Sequence, residues 1–276
     1  MFRDITIGQY YPGNSILHRL DPRVKLLGVI VYVAMLFITN NIFALAFPAA
    51  ILIVLIAISK IPVAYILKGM RMLVYLMIAA VFFNVFFTEG DHMIWRWWIL
   101  KVSHEGILRA VFFAVRLMFV VVGASMLTYT TTPTTLTSGL EKVFSPLKKI
   151  RFPAHELAMM MSIALRFIPI LAEEMNKIIK AQLARGADFE SGGLVRKAKG
   201  MVPILIPLFI SAFRRASDLA TAMEARCYHG GDGRTKMYPL KYETRDKVTY
   251  LLILLALLIT IAMRVIMDRF ITWGRV

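Results

Sequence analysis

Residues 248–267 read VTYLLILLALLITIAMRVIM, twenty residues in which Arg264 is the single charge. A run this long and apolar reads as a membrane-spanning helix. About 20 residues at 1.5 Å each cross a hydrocarbon layer of roughly 30 Å. Four runs nearer the N-terminus share its character. They are VKLLGVIVYVAMLFIT (24–39), IFALAFPAAILIVLIAIS (42–59), MRMLVYLMIAAVFFNVFF (70–87) and ILRAVFFAVRLMFVVVGASMLTYT (107–130). The 276 residues could make one or two soluble domains, but 58% of them are hydrophobic, which fits an integral membrane protein instead. The opening MFRDITIGQYYPGNS is too polar for a secretory signal, and no A-x-A-like cleavage site follows the first apolar run. That run is expected to stay in the membrane. The single cysteine, Cys227, leaves no intramolecular disulfide to form and no zinc cluster to build.

The net charge of +16 raises the question of nucleic acid, but its distribution gives a different answer. Lysine and arginine number four in residues 1–25, three in 60–71, none at 40–41, two in 88–106 and nineteen in 141–247. With five spans, the basic segments all fall on one side. The positive-inside rule makes that side the cytoplasm, so no nucleic-acid partner is expected. The charge is instead a topology and membrane-surface signal.

Two long amphipathic helices are predicted inside the basic segment. One starts near FPAHE, with Pro153 and Glu156 as entry signals, and runs to about Arg185. Leu157, Met161, Leu165, Ile168, Ala172, Met175, Ile179 and Leu183 recur on it at three- and four-residue steps. The other runs from about Met201 to Tyr228, with Ile204, Leu208, Ala212, Ala216, Leu219 and Met223 as its stripe. Pro203 and Pro207 are expected to bend or break its start. A shorter helix is expected over TPTTLTSGLEKVFSPLKKI, entered at Pro133 and broken before Pro146. The apolar stretches 157–172 and 201–213 are expected to lie in the interface or in a protein core rather than to span.

The two long helices end alike. KAQLARGADFESGG (180–193) carries Ala184-Arg185-Gly186, and TAMEARCYHGGDGRT (221–235) carries Ala225-Arg226-Cys227. An arginine in a last helical turn ordinarily complements the helix dipole, worth about 0.3–1 kcal/mol. Two matched ends in one unit point further. Small neighbours let a partner approach the backbone, and a guanidinium offers five donors in a fixed fork.

At these residues the chain resembles a known family, the transmembrane T components of energy-coupling-factor transporters, of the type shared among several substrate-binding subunits. The resemblance also rests on LHRLDPRVKLL (17–27), TTTPTTLTSGLEKVFSPLKKI (130–150), PAHELAMMMSIALRFIPIL (153–171) and PLFISAFRRASDLATAMEARCYHGGDGRT (207–235). It implies an all-α polytopic membrane protein of about five transmembrane helices with a cytoplasmic module of long coupling helices. Residues 1–130 would form the transmembrane domain and 131–247 the coupling-helix module. The last span and C-terminal tail would occupy 248–276. The resemblance implies a multi-pass cell-membrane protein with its N-terminus and 131–247 in the cytoplasm. It implies two cytoplasmic ABC-type ATPases as partners, docking at Ala184, Arg185, Gly186, Ala225, Arg226 and Cys227. Cys227 departs from the family's usual glycine. Membrane substrate-binding subunits are the other implied partner, and Met161, Leu165, Ile168, Leu208 and Ala212 are candidates for that contact. Vitamin or other micronutrient uptake follows, with ATP bound by the partners and no cofactor on this chain.

The remaining motifs carry less. HELAM (155–159) begins like a zinc-protease helix, but Met159 stands where the second histidine belongs. GGDGRT (230–235) lacks the P-loop pattern and is expected to be a helix-ending turn. Arg116, about a third of the way into its span, is expected to face protein or water, with an ion pair as its default role. The methionines of the two stripes would fill a core or, being flexible, suit a surface that repacks against several partners. A membrane enzyme would need convergent acids, nucleophiles or ligands, and a stand-alone permease a polar path; the spans offer neither.

Overall fold

The computed structural model describes residues 10–41, 43–87, 93–97, 100–150, 152–187, 193–230 and 239–270. The elements in order are α1 Ile16–Arg19, α2 Pro22–Ile38, α3 Ala46–Ser59 and α4 Val63–Phe87. An antiparallel hairpin follows, β1 Met93–Trp97 with β2 Leu100–Ser103. Then come α5 His104–Thr130, α6 Pro133–Phe144, a 3-10 turn Ser145–Ile150, α7 Ala154–Ala184, α8 Leu194–Glu224 and α9 Thr244–Phe270. The expected all-α polytopic class holds, with one short hairpin added. The described residues divide into two compact units, 10–139 with 240–270, and 140–239.

In the first unit, local chemistry sets each helix boundary. Asp21 caps α2 by accepting the Arg23 amide at 2.8 Å, and Pro22 enters the first turn where its missing N–H costs nothing. At the other end the Thr39 hydroxyl donates back to the Leu36 carbonyl at 2.9 Å. The segment 60–71, expected as a connection between two spans, contracts to three residues. Lys60 takes a left-handed φ of 57°, and the Pro62 carbonyl accepts the Tyr65 amide at 2.9 Å to open α4. The axis turns by 119° there. A proline before the helix and a left-handed residue after the previous one leave no room for a longer loop.

α2, α3, α4 and α5 enclose the core. Leu36 and Tyr129 are essentially sealed, with Met35, Leu52, Ile66 and Met126 around them. Between apolar helices in lipid, close van der Waals fit replaces the hydrophobic effect as the force that selects partners. Gly123 shows how tight that fit is. A Cβ there would sit 2.4 Å from the Tyr32 ring, so α2 and α5 meet only because position 123 has no side chain. Tyr11, Tyr65 and Tyr129 extend the core as an aromatic trio with ring centroids 5.4 Å apart in each successive pair.

Arg116 faces protein, as expected, but its partner is not a carboxylate. Its Nη2 donates to the Thr39 carbonyl at the C-terminal end of α2, and its guanidinium lies 4.4 Å from the Phe112 ring centroid. The negative end of a helix dipole and an aromatic face therefore take the place of an ion pair.

Gly106–Thr130 and Thr244–Met267 are long and apolar enough to cross a bilayer, as is the bent pair Ala46–Ser59 with Val63–Met70 taken together. Ala154–Ala184 and Lys199–Glu224 also meet that test of length and composition. The sequence reading measured only their apolar stretches, 157–172 and 201–213. It also began the second helix near Met201, whereas α8 starts at Leu194 and keeps Pro203 and Pro207 inside an unbroken helix. At 31 residues each, α7 and α8 extend about 46 Å, half again the thickness of a hydrocarbon layer.

Candidate functional site

The C-terminal ends of α7 and α8 are built by the same set of backbone hydrogen bonds. After α7, the Gly186 amide donates to the Leu183 carbonyl and the Ala187 amide to the Gln182 carbonyl, both at 3.0 Å. After α8, the Cys227 amide donates to the Glu224 carbonyl at 2.8 Å and the Tyr228 amide to the Met223 carbonyl at 3.0 Å. Each is a Schellman motif, in which a left-handed residue lets the chain turn back and satisfy the last carbonyls. Gly186 has φ of 83° and Cys227 has φ of 56°. Position for position, Arg185 matches Arg226, and Gly186 matches Cys227. The cysteine therefore does what the glycine does, against a steric cost of about 1–2 kcal/mol that an L side chain meets in this region.

Ala184, Arg185, Gly186, Ala225, Arg226 and Cys227 are all exposed. A Cβ added at Gly186 would meet nothing within 4 Å. Among the described residues, neither Arg185 nor Arg226 has a side-chain hydrogen bond or ion pair. Each presents an exposed guanidinium on a backbone cap beside small neighbours. Asp188, Gly192 and the glycine-rich turn beyond Gly230 lie outside the described residues.

Between α7 and α8 runs a cleft of about 260 Å³. Ile163, Phe167 and Leu171 line it from α7, and Ala212, Ala216 and Leu219 from α8. Of the five residues expected to meet a membrane partner, Ala212 alone lines this cleft. Met161 and Ile168 lie exposed, and Leu165 and Leu208 are half-buried outside it. Ile163, Phe167 and Leu171 were missed. Their four-residue spacing was legible, but the longer Leu157-to-Leu183 stripe overshadowed it. Among the described residues, a polar contact at Glu174 ties the helices, which the sequence did not reveal. Glu174 accepts from the Ser211 hydroxyl and from Arg215 Nη2, the latter at 3.1 Å. Glu174 precedes Arg185 by eleven residues, and Arg215 precedes Arg226 by the same number.

Upstream, His155 Nδ1 lies 3.0 Å from Glu141 Oε1, which joins the start of α7 to α6. The HELAM histidine is thus engaged in helix packing.

Fold and site together define a class: a multi-pass, all-α membrane protein with a pair of long helices ending in matched, exposed arginine caps. A family model described as cobalt transport protein matches residues 13–237. The energy-coupling factor transporter transmembrane protein EcfT of Clostridium kluyveri is 50% identical over 276 residues, all of both chains. Proteins of the same name from Acidaminococcus fermentans and Bacillus subtilis are 46% and 41% identical. They cover 99% and 94% of this chain, and 99% and 98% of their own lengths. The chain belongs to this family, and it is a membrane component of an energy-coupling-factor transporter.

Proposed function

We propose that this chain is the energy-coupling subunit through which two cytoplasmic ABC-type ATPases drive uptake by interchangeable membrane substrate-binding subunits. The observation that carries the reading is the identity of the two helix ends. Two exposed arginines on backbone caps closed by matching hydrogen bonds suit two copies of one kind of partner groove, as a pair of related ATPases would offer. In this reading Arg185 and Arg226 each enter one ATPase, with Ala184, Gly186, Ala225 and Cys227 leaving room for close approach. Closure of the ATPases on ATP moves the ends of α7 and α8, and their apolar faces carry that motion to a substrate-binding subunit.

The N-terminus and the module at 131–247 lie in the cytoplasm, in keeping with the nineteen lysines and arginines of 141–247. ATP stays on the partners, and the cargo is a vitamin or another micronutrient, a metal ion included. Affinity purification of the intact chain from its native membrane, with every co-purifying subunit identified, tests the reading. Two nucleotide-binding subunits and at least one further small membrane protein are expected. Recovery of the chain alone, with uptake activity on its own, overturns it.

A further inference from the structure

Among the described residues the chain passes between its two units twice, inside α6 after Gly139 and just before Leu240. Five consecutive residues, Asp21-Pro22-Arg23-Val24-Lys25, hold both passages where they leave the membrane unit. On the first passage, Lys25 Nζ donates to the Thr130 carbonyl at 2.9 Å, the Thr131 hydroxyl at 3.2 Å and the His18 carbonyl at 3.2 Å. All three ammonium donors are thereby satisfied. Pro22 then packs against Gly139 so closely that a Cβ there would lie 3.0 Å from the Pro22 Cβ.

On the second passage, Arg23 Nη2 donates to the Leu240 carbonyl at 3.3 Å, and its guanidinium lies 3.8 Å over the Tyr242 ring. Asp246 closes the grip. Its Oδ1 accepts the Asp21 amide at 2.9 Å and its Oδ2 the Glu243 amide at 2.8 Å. Asp21 in turn holds Arg23 through a pair of side-chain bonds at 3.0 and 2.8 Å.

The two carboxylates and two cations balance, and Asp21, Lys25 and Asp246 are each under 10% exposed. Such a group costs desolvation, and apolar packing would hold the same helix ends with less. Van der Waals fit alone, however, is the weaker constraint on rotation at the helix ends, and interhelical hydrogen bonds add direction to it. Directional bonds from one short segment fix α2, the end of α5 and the start of α9 in register.

We propose that this buried clamp is the anchor through which movement of α7 and α8 reaches the membrane helices, with Asp246, Arg23 and Lys25 as its positioning residues. The inference rests on the reading that partner ATPases move those two helices.

The test uses the full chain in complex with its ATPases, in a Cys227→Ser background first verified to capture the ATPases as the unsubstituted chain does, with spin-label pairs read by pulsed electron resonance. One pair, at Lys180→Cys and Ala222→Cys, reports the helical unit. The other, at Thr135→Cys and Lys247→Cys, reports the membrane unit on either side of the clamp. Adding magnesium and a non-hydrolysable ATP analogue is expected to change both distances in the parent. In Asp246→Asn, which keeps the shape and loses one acceptor, the first change is expected to persist and the second to be lost. Should Asp246→Asn fail to accumulate, Arg23→Gln, which loosens the grip on Leu240, Tyr242 and Asp21 and leaves the Lys25 and Asp246 bonds in place, is expected to weaken the second change selectively. A second change that persists in the accumulated variant as in the parent overturns the anchor. So does a parent in which only the first pair responds. Absence of the first change in the parent overturns the coupling reading itself, and the anchor with it.

Discussion

Arg226→Ala separates a docking arginine from one that merely complements a helix dipole. In the free chain the side chain has no partner among the described residues. The bonds that close the helix end, from the Cys227 and Tyr228 amides, are backbone bonds that truncation leaves intact. The loss on folding is therefore confined to the dipole contribution, below about 1 kcal/mol. In a docked complex the guanidinium would fill a groove on the partner. Truncation then strands acceptors that water no longer reaches, and such hot-spot losses are on the order of 2–4 kcal/mol. That is about 30- to 1,000-fold in affinity. The assay immobilises the purified chain in detergent, titrates the purified ATPases over it and fits Kd. Thermal unfolding of the same samples follows the fold. Arg226→Ala and Arg185→Ala are each expected to weaken capture within that range and leave unfolding nearly unchanged. Arg226→Lys is expected to recover part of the loss, since lysine lacks the planar fork. Unchanged Kd in the double alanine variant, or a loss of fold equal to the loss of capture, would refute the reasoning.

Three further outcomes are expected. Cys227→Gly relieves an L side chain held at positive φ, so local opening should become about 1 kcal/mol harder and the Tyr228 amide should exchange about fivefold more slowly; Cys227→Ala, which keeps the Cβ, should leave the rate unchanged. Ala212→Asp puts a carboxylate in the apolar cleft between α7 and α8, and should release the substrate-binding subunit while the ATPases stay bound; simultaneous loss of both would make the cleft ordinary packing. With Cys227→Ser as background, Ser103→Cys should react with an impermeant thiol reagent in intact cells, and labelling only after permeabilisation would invert the proposed topology.

The spans were legible because lipid imposes a simple rule on length and polarity, and α5 and α9 followed it closely. The turn at Lys60 was not legible, since nothing in a lysine announces a left-handed residue. α8 was read as starting too late because two prolines look like a boundary until neighbouring turns absorb them. The matched ends of α7 and α8 stood out as a repeated Ala-Arg. That Cys227 would adopt glycine's conformation required the backbone. Buried polar contacts were the least visible. Lys25 entered only as part of the topology signal and Asp246 drew no reading, and only the fold, across more than two hundred residues, brings Asp246 to Asp21.

The Glu174–Arg215 contact divides each long helix unequally. Toward the arginine tips lie eleven residues, about 16 Å; toward the far ends, at Ala154 and Leu194, lie about 30 Å. A pivot at that contact gives the pair a mechanical disadvantage of roughly two at the far ends. In the proposed coupling, a push of a few ångströms on either tip would emerge with about twice the stroke and half the force. Pro169, Pro203 and Pro207 all sit in the long arms, where each missing N–H removes a backbone bond.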